Sequence, residues 1–278
     1  MNANRIVHEQ PAKWIERLAR FGYATKGIVY MLVGLLAFQA AFNWGGQITG
    51  SRGAFRTIAA QPFGNVMLFL VGVGLFGYVV WRFVEAIRDP EHRDGGFSGV
   101  ARRAAYFVSG LIYASLAIFA LRIALGSTAG SSDGNGSSSS QQGVATLLTQ
   151  PFGQWLVGLV GVAIVAYGFY SFYKAYSTKF RRRLKLAQMS LKEEKWTTRI
   201  ARFGLTAKGL VSVIIGYFFI QAARVSDPSQ AQTTEGALQT LQQQPYGAWL
   251  MGLVALGLIA YGIHLEVQAR YRRISPAR

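Results

Sequence analysis

Six stretches, at about 23–43, 64–86, 104–125, 153–175, 205–223 and 247–268, run for some 20 residues with almost no charge. About 20 mostly apolar residues are what a helix needs to cross the ~30 Å hydrocarbon layer of a bilayer. Only helices and closed barrels satisfy their backbone polar groups inside lipid. None of the six shows the alternation of a barrel strand. The expected fold class is therefore all-α, a polytopic membrane bundle of six transmembrane helices. Composition agrees. Of 278 residues, 51% are hydrophobic and 15% charged, against roughly 25% charged in a soluble domain.

The net charge of +17 raises the question of nucleic acid. Its distribution answers differently. Twenty-five of the lysines and arginines lie at the two chain ends, in the segments between spans two and three and between spans four and five, or in the span ends that adjoin them. The other four are Arg52, Arg56, Arg122 and Arg224. Positive charge stays on the cytoplasmic side, so both termini are expected in the cytoplasm. No aromatic-interleaved basic motif marks a nucleic-acid module. The partners expected are the bilayer, anionic lipids on the cytoplasmic side, and a homo-oligomer or another membrane protein. The run with Arg181, Arg182, Arg183 and Lys185 is the candidate contact for lipid headgroups.

Internal repetition explains the rest of the chain. Gln61-Pro62-Phe63-Gly64 recurs as Gln150-Pro151-Phe152-Gly153 and as Gln244-Pro245-Tyr246-Gly247. A tyrosine follows each proline by 16 residues, at Tyr78, Tyr167 and Tyr261. KWIERLARFG at 13–22 matches KWTTRIARFG at 195–204, and RFGYATKGIVY at 20–30 aligns more weakly with 103–113. Three two-helix repeats follow: 13–90, 97–178 and 195–270. Each crosses twice, so the copies are parallel and a pseudo-threefold bundle about the membrane normal is expected. Proline favours the first turn of a helix, which places each Q-P-[FY]-G motif at the outer start of an even-numbered span. The two K-W-x-x-R segments are expected as short amphipathic helices in the inner interface. Residues 126–142, rich in Gly and Ser, are expected as a flexible outer linker.

These tandem motifs, A-R-x-G-like lead-in, G-x-V-Y-like first helix and Q-P-F-G, resemble a bacterial integral membrane family known as a domain of unknown function. The resemblance covers about 13–270 and implies a six-helix membrane protein. It implies no reaction.

Small residues at Gly27, Gly34, Gly110, Ala117, Gly209 and Gly216 supply the close helix contacts that lipid-embedded bundles need. Repeat offsets make two polar sets equivalent. Gln39, Arg122 and Gln221 form a candidate outer vestibule ring. Lys26, Ser109 and Lys208 form a candidate inner ring. The plainer expectation is that Lys26, Arg122 and Lys208 snorkel to headgroups. Arg82 and Glu85, three apart, are expected to pair, and His264 is expected at the interface. Cysteine is absent. No catalytic, metal-binding or cofactor motif appears, and no enzyme is expected. Two functions remain: a packed structural or interaction bundle, and a small-solute or ion path along the pseudo-axis.

Overall fold

The structure, a computed structural model, describes residues 10–88, 97–126, 136–177, 181 and 189–272. They form nine α-helices and one 3-10 turn, with no strand among the described residues. Six helices are long: α1 (Gln10–Ala41), α3 (Gly64–Arg88), α4 (Phe97–Ala124), α6 (Gly153–Ser177), α7 (Leu191–Val225) and α9 (Gly247–Tyr271). Each contains a stretch of at least 23 residues apolar enough to span a membrane. Three are short and precede the even spans: α2 (Ser51–Ala59), α5 (Gly136–Leu148) and α8 (Thr234–Gln242).

Two expectations about helix limits are corrected. The K-W-x-x-R segments are not separate interfacial helices. They form the first turns of α1 and α7, which run unbroken for 32 and 35 residues. Lys, Glu, Arg, Leu and Ala make up much of these turns and propagate helix well. A capping box at Ser190 and Glu193 starts α7, satisfying two otherwise orphaned N–H groups. The expected linker 126–142 is helical from Gly136 onward. Val144 on α5 is buried, and Ser140 and Gln141 donate to the carbonyls of Ala231 and Ser229 at 3.0 Å. Residues 127–135 lie outside the described residues.

The Q-P-[FY]-G motif starts each even span at its glycine as expected, but its proline stands in a corner before the helix and not in the helix's first turn. Pro62 and Phe63 occupy a reverse turn, closed by the Gly64 N–H donating to the Gln61 carbonyl at 2.9 Å. Gly153 and Gln150 repeat that bond at 2.9 Å. The third residue is left-handed in all three copies, with φ +62° at Phe63, +63° at Phe152 and +60° at Tyr246. Proline at the second and positive φ at the third position define a type II turn. An aromatic residue there costs about 1–2 kcal/mol. The glycine that follows begins the span because nothing larger fits. A Cβ on Gly64 would stand 2.3 Å from the Ile58 carbonyl, on Gly153 2.1 Å from that of Leu147, and on Gly247 1.8 Å from that of Gln242. The motif thus folds a short outer helix sharply against a span.

The even span of each repeat packs most extensively on the odd span of the next: α3 on α4, α6 on α7, and α9 back on α1. Small residues carry these contacts. A Cβ on Gly27 would meet the Gly262 carbonyl at 2.9 Å, and one on Gly216 the Gly161 carbonyl at 2.8 Å, so the helices touch backbone to backbone. Within repeats the pattern holds only twice. α1 packs on α3 and α7 on α9, whereas α4 and α6 barely meet. Closure from repeat to repeat therefore occurs three times and hairpin closure twice.

A glycine accounts for the difference. A Cβ on Gly22 would lie 2.4 Å from the Tyr78 backbone nitrogen, and one on Gly204 2.4 Å from that of Tyr261. The first and third hairpins close because α1 and α7 lack a side chain at that crossing. The equivalent residue of the second repeat is Ala105, which is exposed.

Candidate functional site

Tyr78, Tyr167 and Tyr261 each follow the first residue of their span by 14 positions. At 1.5 Å per residue that is about 21 Å, some two-thirds of the way across the hydrocarbon layer. A tyrosine hydroxyl at that depth needs a partner, and the expected inner ring supplies it. Lys26 Nζ donates to Tyr78 Oη at 2.9 Å. Lys208 Nζ donates to Tyr167 Oη at 2.8 Å and to Tyr261 Oη at 2.9 Å.

Rings complete the coordination of both ammonium groups. Lys26 Nζ lies 4.4 Å from the Tyr78 ring centre and 4.2 Å from that of Tyr113. Lys208 Nζ lies 4.5 Å from the Tyr261 ring and 5.2 Å from the Tyr167 ring. The two lysines share Tyr30, at 6.0 and 5.7 Å. The Tyr30 and Tyr113 hydroxyls meet at 3.4 Å. Cation–π contacts of this kind contribute about 2 kcal/mol when desolvated, against a cost of roughly 2.5–3.5 kcal/mol for a lysine at mid-membrane. Among the described residues neither lysine pairs with a carboxylate.

A buried chain of charge continues toward the side that bears the chain ends. Arg82 Nε donates to Tyr78 Oη at 2.6 Å, and its Nη1 to Glu85 Oε2 at 2.7 Å. Tyr78 Oη thus accepts from both Lys26 and Arg82, filling its two lone pairs. Arg272, from the end of α9, donates through Nη2 to Glu85 Oε1 at 2.6 Å and lies 4.7 Å from the Tyr23 ring centre. Glu85 and Arg272 are both nearly inaccessible. One carboxylate accordingly holds two guanidinium groups, and it ties repeat one to the end of repeat three.

Several expectations are met and several corrected. Lys26 and Lys208 do converge, through Tyr30, but they do not snorkel: Lys26 is 3% exposed, and both ammonium groups point at tyrosines. Ser109, the third member of the inner set, makes no hydrogen bond to either lysine. Gln39 and Gln221 are half-buried and Arg122 is exposed, and the three make no hydrogen bond, ion pair or ring contact with one another. The Arg82–Glu85 pair is present. His264 is 1% exposed, so it is enclosed by the helices. It packs on the Tyr261 ring and shares a 2.7 Å hydrogen bond between its Nε2 and Gln268 Nε2. Arg181 pairs with Glu194, while Arg182, Arg183 and Lys185 lie outside the described residues.

Sequence reasoning treated the three tyrosines as spacing marks and missed Arg272 altogether. The tyrosines left a usable signal. A hydroxyl kept at one depth in three copies, where any apolar residue would span, asks for a donor nearby. Arg272 left none, because 187 residues separate it from Glu85.

The sequence matches the family described as Domain of Unknown Function (DUF1206) three times, over residues 21–89, 104–178 and 203–272. These limits follow the three repeats. An uncharacterised protein of Bacillus subtilis (strain 168), YxxB, is 35% identical over 269 residues, covering 97% of this chain and 95% of that one. No solved structure matches. Three matched copies and six apolar spans in one chain make this a multi-pass membrane protein that belongs to the DUF1206 family.

Proposed function

We propose that this protein binds a small anionic group within the membrane, at the centre formed by Lys26, Lys208 and their tyrosines, and that it does so without catalysing a reaction. One observation carries the reading. Two ammonium groups sit deep among the spans with hydroxyls and ring faces as partners and, among the described residues, no carboxylate on either. Ionisable residues at such depth mark ligand or ion sites by default. Among the charges that act most strongly on Lys26, Lys208, Arg82 and Lys174 outnumber Glu85, so the local field favours a negative guest.

This develops the solute reading of the sequence. A purely structural bundle is supported by the small-residue contacts, but its other premise, scarce buried charge, does not hold with Lys26, Glu85 and Arg272 inside. The charge asymmetry of the segments supports a bacterial cytoplasmic membrane with both termini inside, checked by a C-terminal reporter active only in the cytoplasm. Basic residues on that side, with Trp196 beside Lys192, Lys195 and Arg199, suit contact with anionic lipid.

Thermal unfolding in neutral detergent tests the site. Sodium acetate is expected to raise Tm in a saturable way beyond an equal ionic strength of a bulky, membrane-excluded salt, because a ligand of the folded state alone stabilises by RT ln(1 + [L]/Kd). Lys208→Gln should abolish that rise. No saturable response to acetate, nitrate or phosphate would end the proposal.

A further inference from the structure

The second repeat leaves open a face that the first and third repeats close. Thr25 and Val29 on α1, and Ala207 and Val211 on α7, are buried in their hairpins. Their equivalents on α4, Val108 and Ile112, are more than half exposed. On the opposite wall, Gly74 and Gly77 of α3 and Gly257 and Ala260 of α9 are buried, whereas Ala163 and Ala166 of α6 are exposed. The central tyrosine follows the same rule: Tyr78 is 0% exposed and Tyr261 6%, but Tyr167 46%. The opening lies along the line where α4 and α6 barely meet.

What lies at its inner end is the lysine centre. The Tyr167 hydroxyl that this gap exposes accepts from Lys208 at 2.8 Å, and that contact is itself exposed, whereas the contact of Lys26 with Tyr78 is buried. Of the two ammonium groups, Lys208 is therefore the one reachable from outside, and reachable sideways. The walls that lead to it are Ala105, Val108 and Ile112 on one side and Ala163 and Ala166 on the other. They are small or aliphatic and carry no charge. At this depth the gap faces acyl chains, not water.

An apolar slot that ends on an ammonium and a phenol has the chemistry of an amphiphile site. Resting on the anion-site reading above, we propose that the α4–α6 cleft admits a single-chain acyl carboxylate from the bilayer, its chain between Val108 and Ala163 and its carboxylate on Lys208 Nζ and Tyr167 Oη. Charge complementarity selects the head: a carboxylate accepts from both donors, while an alcohol or neutral sugar head leaves the ammonium without a counter-charge. Depth selects a carboxylic acid over a phosphodiester, since it can enter neutral and ionise beside the lysine, whereas a fixed charge must be desolvated on the way.

Sodium dodecanoate, sodium acetate and dodecan-1-ol are the probes, added to the full chain in a neutral maltoside detergent, with Tm and native mass spectrometry as readouts. Dodecanoate is expected to bind at least tenfold more tightly than acetate, as a one-to-one adduct, and dodecan-1-ol not to bind. Ala163→Trp and Val108→Trp fill the cleft from its two exposed walls without touching packed residues. Either should weaken dodecanoate tenfold or more and leave the acetate response unchanged. Leu253→Trp, on the exposed face of α9, should change neither and serves as the folding control.

The possible failures separate. If neither acetate nor dodecanoate binds, the anion site itself is wrong. If acetate binds and dodecanoate binds no better, the site stands and lateral access falls. Dodecanoate binding that survives both wall substitutions, or equal binding of dodecan-1-ol, also overturns the proposal. So does a dimer cross-linked through Val108→Cys and dispersed by Ala163→Trp, which would make the cleft an interface between copies.

Discussion

Replacing Glu85 by glutamine should destabilise the protein more than any other single isosteric change. The wild-type carboxylate gives one oxygen to Arg82 at 2.7 Å and the other to Arg272 at 2.6 Å. The amide keeps one acceptor and turns the second position into a donor that faces a guanidinium. One hydrogen bond is lost, a donor–donor contact replaces it, and two cations, the part-buried Arg82 and the nearly inaccessible Arg272, lose their shared counter-charge. Removing one member of a buried ion pair costs about 3–5 kcal/mol. For a chain of this size that is a fall in Tm of about 5–9 °C. Trp81, 5.9 Å from the Arg272 guanidinium, reports locally through its fluorescence during heating in neutral detergent. The loss should be partly reversed by a second change: Glu85→Gln with Arg272→Gln should cost at least ~1 kcal/mol less than the two single effects added. A Glu85→Gln protein that melts within 2 °C of the parent, or a double variant that is strictly additive, would refute the two-arginine clasp.

Two further substitutions test the helix contacts. Gly22→Ala and Gly204→Ala each push a methyl to 2.4 Å from a backbone nitrogen of the partner span, so each should cost about 1–3 kcal/mol and expose Tyr78 or Tyr261, read as a Tm loss together with faster proteolysis. Ala105→Gly at the equivalent point of the open repeat should cost only the ~1 kcal/mol of lost helix propensity. At the outer corner, Gly64→Ala should destabilise sharply, because its Cβ would sit 2.3 Å from the Ile58 carbonyl. Phe63→Val should cost about 1–2 kcal/mol and Phe63→Gly much less, since φ is +62° there and β-branched residues tolerate that region least. Equal Tm values for the valine and glycine variants would contradict the turn assignment.

Length and apolarity alone fixed the six spans, because no other backbone arrangement survives in lipid, and the spacing of prolines and tyrosines fixed the three repeats. The small-residue faces were legible for the same reason: helices in lipid associate where side chains are short. The equivalence of Lys26 and Lys208 could also be read off the repeat offsets. Which way these lysines point could not. Snorkelling and burial differ by whether tyrosines from other spans stand within reach, and Tyr78, Tyr113, Tyr167 and Tyr261 come from four different helices. Only tertiary packing decided that Lys26 meets Tyr78, that Glu85 meets Arg272 across 187 residues, and that one hairpin of three stays open. Each is a contact between segments remote in the chain, and local pattern carries no information about such distances.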